Sequence, residues 1–330
     1  MSELTAVTGA TGFIGSHLVR QLLDEGARLR VLARRPERLA RQVHERAEVV
    51  EGDVRDRRGL GAVVEGAHTV LHLAACVRGW SRDPAEFREV NVGAVEMLLE
   101  AAQRAGVIRL VHVSTVLTLP PYRPAPLKAN SRRLTPYEET KRAGERLVES
   151  YAAAGHDAVI VQPTRVYGPG PLGDANATTR VVALYLAGRF RVRLRDGEVL
   201  NNYVHADDVA MGIRLAARSG RRGSRYVIGG DENLSFRALL ALVDELSGRR
   251  RRVLALPPAV ARAGGRAADL CGRLGGTPPL TSGWVRVLLE DRRADISPAR
   301  RELGYRPRPL REGLKETIAW LSAQREESHL

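Results

Sequence analysis

The chain has 330 residues, 44% apolar and 27% charged, which is the make-up of a globular protein with one large domain or two small ones. Its two cysteines, Cys76 and Cys271, exclude a disulfide framework and a cysteine metal site, and no apolar run is long enough to span a bilayer. The formal charge is +14, which favours anionic partners, but the arginines are scattered rather than interleaved with aromatics in one patch, so no nucleic-acid partner is expected.

In chain order, TAVTGA (5–10) reads as a strand and FIGSHLVRQLLDEG (13–26) as a helix closed by Gly26. RLRVLA (28–33) and AEVVEGDV (47–54) read as the second and third strands, and HTVLHLAA (68–75) as the fourth. A long helix over 84–106 precedes a fifth strand, IRLVHVST (108–115); a second long helix over 136–155 precedes a sixth, DAVIVQP (157–163). Strands apolar along their whole length and separated by helices predict a parallel sheet covered on both faces. Beyond Pro163 this rhythm breaks, and the amphipathic stretch 256–280 is bounded by proline pairs. A smaller lobe is expected there. The N-terminus lacks the layout of a signal peptide, and a cytoplasmic location is expected.

Between the first strand and first helix stand Gly9, Gly12 and Gly15, with Thr11, Phe13 and Ile14 in the same turn. A glycine triplet in that context suits a pyrophosphate: the turn is tight, the backbone approaches the ligand, and the helix N-terminus offers unpaired N–H groups. A dinucleotide is therefore the expected cofactor. At the end of the second strand, where an acidic residue would grip a ribose hydroxyl, the chain has Arg34 and Arg35. Guanidinium groups suit a 2′-phosphate, so NADP(H) is preferred, with NAD(H) as the alternative.

Lysine is scarce: of 52 basic residues only Lys128, Lys141 and Lys315 are lysine. Lys141 lies four residues after Tyr137, so the two share a helix face. A free phenol titrates too high for proton exchange at neutral pH. A compact ammonium beside it is expected to lower that value, a task for which a planar guanidinium has the wrong shape.

Together the glycine turn, Tyr137-x-x-x-Lys141 and the Ser114-Thr115 pair ending the fifth strand resemble the extended short-chain dehydrogenase/reductase family, over essentially the whole chain. The resemblance implies an α/β fold, a Rossmann-type doubly wound parallel sheet with a smaller C-terminal α+β substrate lobe. The dinucleotide-binding domain is expected over 1–163 and 199–219, and the substrate lobe over 164–198 and 220–330. It also implies a catalytic set of Thr115, Tyr137 and Lys141, with Ser114 as an alternative to Thr115 and as a cofactor contact. Asp53 and Val54 resemble the family's adenine contact. Leu73, Ala74 and Ala75 resemble its cofactor-lining strand end, and Asn91 the start of the following helix. Pro163 and Val166 resemble the segment beside the nicotinamide. Trp80, Tyr122 and Arg165 are candidate substrate contacts, in loops 76–80 and 116–135 and in the segment after the sixth strand. His72, His112 and His205 are expected to be structural. Asp207 and Asp208 are expected to cap a helix and tie the lobes together, with no metal.

The loop after Thr115 lacks the acidic pair of the sugar dehydratases and the VYG-like run of the nucleotide-sugar epimerases. Together with the arginines after the second strand, this moves the resemblance toward dihydroflavonol reductases, 3β-hydroxysteroid dehydrogenases and the hopanoid-associated sugar epimerase-like proteins. The expectation is an NADP(H)-dependent dehydrogenase/reductase that moves hydride to or from a ketone or secondary alcohol of a small metabolite, working as a homodimer. The alternative is a nucleotide-sugar 4-epimerase or reductase; a minor one is a non-catalytic dinucleotide sensor or RNA-binding relative.

Overall fold

A computed structural model describes residues 3–122, 134–194, 199–274, 276–278 and 280–327. The first half runs β1 (Leu4–Thr8), α1 (Phe13–Asp24), β2 (Arg28–Ala33), α2 (Arg41–Arg46), β3 (Glu48–Glu51), α3 (Arg57–Val64) and β4 (Thr69–His72). It continues through α4 (Ala85–Arg88), α5 (Ala94–Arg104), β5 (Arg109–Val113), α6 (Pro136–Ala153) and β6 (Ala158–Pro163). Then come β7 (Arg165–Tyr167), α7 (Ala177–Leu186), β8 (Val192–Leu194), β9 (Leu200–His205), α8 (Ala206–Ser219) and β10 (Arg225–Ile228). The chain closes with β11 (Asn233–Ser235), α9 (Phe236–Ser247), β12 (Leu254–Leu256), α10 (Pro258–Arg273), α11 (Ser282–Leu289), α12 (Ser297–Leu303) and α13 (Leu310–Glu327).

Seven parallel strands form the central sheet in the order β10-β6-β5-β4-β1-β2-β3. Ala6 and Val7 of β1 have no exposed surface, one side chain per face. Leu18, Val19 and Leu23 of α1 and Ile213 of α8 cover one face; Leu60 of α3 and Leu98 of α5 cover the other. Each such leucine contributes roughly 1.5–3 kcal/mol by leaving water. The chain leaves β1 toward β2 and later returns to the opposite side through β4. This reversal opens a crevice at the C-terminal edge of the sheet, where α/β folds bind their ligands.

Two features depart from the sequence reading. β10 lies within 220–330, the part expected to belong wholly to the substrate lobe, yet it pairs with β6 in the central sheet. Its Tyr226 and Ile228 are buried in the same cluster as β5 and β6, so apolar burial draws this strand onto the sheet edge. The helix expected over 84–106 is broken by a π turn at Glu89–Gly93. There Gly144 of α6 comes so close that a Cβ would lie 2.6 Å from the Asn91 carbonyl oxygen.

The smaller layer contains a three-stranded sheet, β11-β9-β7, a two-stranded one, β12-β8, and helices α7, α9, α10, α11 and α13. Asp207 accepts a hydrogen bond from His17 at 2.6 Å and pairs with Arg20, and Asp208 accepts from the Arg308 backbone and guanidinium at 3.2 Å. The acids therefore tie α8 to α1 and to the segment before α13. The N-cap of α8 is supplied by the His205 ring, which accepts from Asp207 N–H.

Candidate active site

Every phosphate-side residue singled out in the sequence lies at the C-terminal edge of the central sheet. Gly9 turns with φ +78°, and a Cβ there would lie 2.6 Å from the Ala74 nitrogen; one on Gly15 would overlap the Gly9 carbonyl oxygen. Only glycine allows the turn to lie this close to the end of β4. Gly12 is the N-cap of α1 and offers no side-chain cap, so the first-turn N–H groups of Phe13, Ile14 and Gly15 stay available to an anion. Thr11 is exposed beside them. Leu73 continues the β4 ladder by donating its N–H to the Thr8 carbonyl, and Ala74 and Ala75 follow it.

Arg34 and Arg35 are both exposed just past β2. Arg34 is 3.7 Å from Asp53, which lies past β3 with the buried Val54 behind it; Asp53 also pairs with Arg55 at 3.0 Å. Burial raises the Asp53 carboxyl, but Arg55 and Arg34 outweigh it and hold the group below its usual value. These residues form an open, positively charged end to the crevice. The glycine cradle and uncapped helix are a donor set that suits the pyrophosphate of a dinucleotide.

At the other end, α6 opens with a capping box: Thr135 Oγ1 accepts from Glu138 N–H, and the Glu138 carboxylate accepts from Thr135 N–H. That cap fixes where the helix begins and hence where Tyr137 points. Tyr137 is buried and hydrogen-bonds Thr115, the residue just past β5. Ser114 is buried with its hydroxyl unpartnered, so of the pair Thr115 is the one joined to the phenol. Lys141 is 1% exposed. Its ammonium donates to the Val113 carbonyl at 2.8 Å and to His112 Nε2 at 3.4 Å, which puts the His112 proton on Nδ1.

The electrostatics differ from the sequence expectation. Burial pushes the Tyr137 phenol up to about 12, and the Thr115 hydrogen bond only partly offsets this. Burial also pulls Lys141 down to about 8, with Glu145 working against the fall. The ammonium is held by a carbonyl and an imidazole, and burial leaves the phenol raised and not lowered. Behind it, His72 and His112 stack at 5.4 Å in register across β4 and β5. Burial drives both below their ordinary range, His72 to about 3. They are neutral core histidines. Asn91, in the π turn, accepts from Cys76 N–H at 2.8 Å and donates to the Thr140 hydroxyl at 3.0 Å, locking the end of β4 to α6. Pro163 is buried at the end of β6 and Val166 follows in β7.

Tyr137 forms one wall of a cavity of about 460 Å³ between the two layers. Trp80, Phe87, Trp284 and Leu289 supply apolar walls, and Arg262 and Arg266 stand at the α10 side. Trp284 stacks on the Tyr137 ring with centroids 6.4 Å apart. Of the three substrate candidates, only Trp80 lines this cavity. Tyr122 is 71% exposed and packs under the Arg293 guanidinium instead, and Arg165 donates to the Asn201 side chain. The loop segment 123–133 lies outside the described residues. Trp284 was not legible: no local spacing links it to Tyr137, and its scarcity, as one of 3 tryptophans, was the only signal.

Residues 5–229 match the model of the NAD dependent epimerase/dehydratase family. The sterol demethylase protein B of Methylococcus capsulatus is 32% identical, over 96% of this chain and 97% of its own. A 3 beta-hydroxysteroid dehydrogenase/Delta 5-->4-isomerase of Mycobacterium tuberculosis is also 32% identical, over 91% of this chain and 85% of its own. Among solved structures, the UDP-glucose 4-epimerase of Thermotoga maritima, with UDP-glucose, superposes with a TM-score of 0.78 at 25% identity, covering 97% of this chain and 99% of that one. A parallel sheet with a glycine cradle at its switch point, a buried Tyr-x-x-x-Lys beside it and these likenesses lead to one assignment: the chain belongs to the NAD dependent epimerase/dehydratase family, in its extended short-chain dehydrogenase/reductase branch.

Proposed function

We propose that the protein is an NADP(H)-dependent dehydrogenase/reductase acting on a ketone or secondary alcohol carried by an apolar, ring-bearing small metabolite. The observation that carries the reading is Tyr137, hydrogen-bonded to Thr115 and forming the wall of a cavity whose other walls are Trp80, Phe87, Trp284 and Leu289. The likeness to relatives named for a sterol and a hydroxysteroid supports the apolar substrate. A bound nicotinamide dinucleotide would supply the hydride donor or acceptor. Gly9, Gly12 and the start of α1 would hold its phosphates, Arg34 and Arg35 its 2′-phosphate, and Lys141 its ribose.

In reduction, Thr115 and Tyr137 would both bond the carbonyl oxygen, polarising it and fixing its carbon. The Tyr137 hydroxyl would then give its proton to that oxygen as the alcohol forms. A phenol held at about 12 is fully protonated at neutral pH and so carries the proton that reduction consumes. In oxidation the same oxygen would take that proton back. A homodimer through α5 and α6 and a cytoplasmic location belong to the same proposal.

The test is turnover of apolar cyclic ketones with NADPH and NADH. Arg34→Ala should raise the NADPH KM about tenfold, the loss of one charge-assisted phosphate contact, and leave the NADH KM nearly unchanged. Equal changes for both cofactors would overturn the NADP(H) assignment. A nucleotide-sugar epimerase or reductase is the second reading, favoured by the superposition on the Thermotoga maritima epimerase. NAD retained through purification, identified by mass spectrometry, would support it instead.

A further inference from the structure

α10 packs inward through small residues: Ala261 and Gly265 are buried against α11. Arg262, Arg266 and Asp269 flank that face, and all three line the active cavity beside Trp80 and Trp284. Asp269 accepts hydrogen bonds from the Ser282 backbone and pins α10 to α11. The stripe turned away from Ala261 and Gly265, made of Val260, Ala263, Ala267, Leu270 and Leu274, recurs every three or four residues and faces solvent, with the exposed Arg266 beside it. Val260 is 51% exposed, Leu270 57% and Leu274 80%. Leu254, just before α10, is 75% exposed and Leu280, just after it, 37%, so half of the ten exposed large hydrophobic residues among those described lie between 254 and 280. A stripe this long on the outside of a water-facing helix asks for a partner.

The charge beside it says which partner. Arg249, Arg250, Arg251 and Arg252 are all exposed and run directly into Leu254. A second copy of the chain, paired about a two-fold axis on this face, would bring the two arginine runs toward each other. An anionic bilayer would attract the run, each arginine near its surface contributing about 1 kcal/mol, while the leucines enter the headgroup boundary. Among the described residues no helix is long and apolar enough to cross a membrane, so the contact would lie on the surface.

We propose that the outer face of α10, with Arg249–Arg252, docks the protein on an anionic lipid surface. The cavity wall formed by the inner side of α10 then lies at the membrane boundary, within reach of an apolar substrate held in the bilayer. This last step rests on the reductase reading above; the docking does not.

The full-length protein is sedimented with phosphatidylcholine vesicles with and without phosphatidylglycerol. It should bind the anionic vesicles, release at high salt, and lose binding about tenfold or more in the double variant Leu270→Glu, Leu274→Glu. Both positions are exposed, so thermal unfolding and turnover of a water-soluble ketone should be unchanged. Vesicle binding is read without turnover, which separates its failure from a failure of the reductase reading. Three results overturn the docking: no binding to anionic vesicles, binding that ignores the double variant, or a dimer in solution that Leu274→Glu dissolves.

Discussion

Tyr137→Phe should lower kcat for ketone reduction by about 10²–10⁴-fold, the usual range for removing a positioned proton donor, with KM changed far less. The split follows from the geometry. The phenyl ring keeps its place against Trp284 and its share of the cavity wall, so the substrate still meets the same apolar surface. Only the hydroxyl bonded to Thr115 is lost. Thr115→Val should act in the same direction and more weakly, because one of two bonds to the substrate oxygen remains. Steady-state kinetics at saturating NADPH decide the matter. A Tyr137→Phe enzyme with normal kcat would remove the phenol from the chemistry.

The same site makes a pH profile expected. Lys141 is held at about 8 and Tyr137 at about 12. Below pH 8 the ammonium is charged and the phenol protonated, so reduction should be flat. As pH rises through 8 the ammonium loses its proton. Positive charge then leaves the neighbourhood in which Tyr137 must become an anion, and kcat/KM should fall although the phenol is still protonated. Lys141→Arg keeps the charge but puts a wide planar group where a point charge fits between Val113 O and His112. Most turnover should be lost, and the remainder should lack the fall near pH 8.

What the sequence revealed was local. The glycine triplet and the Tyr-x-x-x-Lys pair are each held in one turn or one helix, so spacing alone places them. The six strand ends sit at one edge because parallel strands joined by helices leave no other arrangement. What stayed hidden depends on distant partners. Residues 225–228 read as part of the second lobe because nothing in four residues says which sheet they will join. The break at Asn91 follows from the close approach of Gly144 on another helix. The i, i+4 spacing correctly put Lys141 on the face of Tyr137. It could not show that the ammonium would be held by Val113 O, or that burial would raise the phenol. Trp284 and the arginines near it were hidden for the same reason: Glu138 and Arg286 meet 148 residues apart in the chain.

That last meeting carries the second large effect. Glu138, Arg286, Glu290 and Arg292 form a buried cluster of two carboxylates and two guanidiniums, none more than 4% exposed. Arg286 pairs with Glu138 and, at 2.6 Å, with Glu290; Arg292 reaches Glu138 at 3.4 Å and the Leu119 carbonyl at 2.7 Å. The cluster thus joins the capped start of α6, the chain beyond Thr115 and the helix that carries Trp284. Glu138→Ala leaves two guanidiniums facing one carboxylate out of water and also removes half of the capping box. The expected cost is about 3–5 kcal/mol of unfolding free energy, against a total of about 5–15 for a typical domain. Removing one charge of each sign, Glu138→Gln with Arg286→Met, restores the balance and should cost clearly less than the sum of the two single changes. Urea unfolding of the four proteins measures this directly. If the double variant loses the full sum, the charges are not coupled, and the cluster does not hold Tyr137 and Trp284 in register.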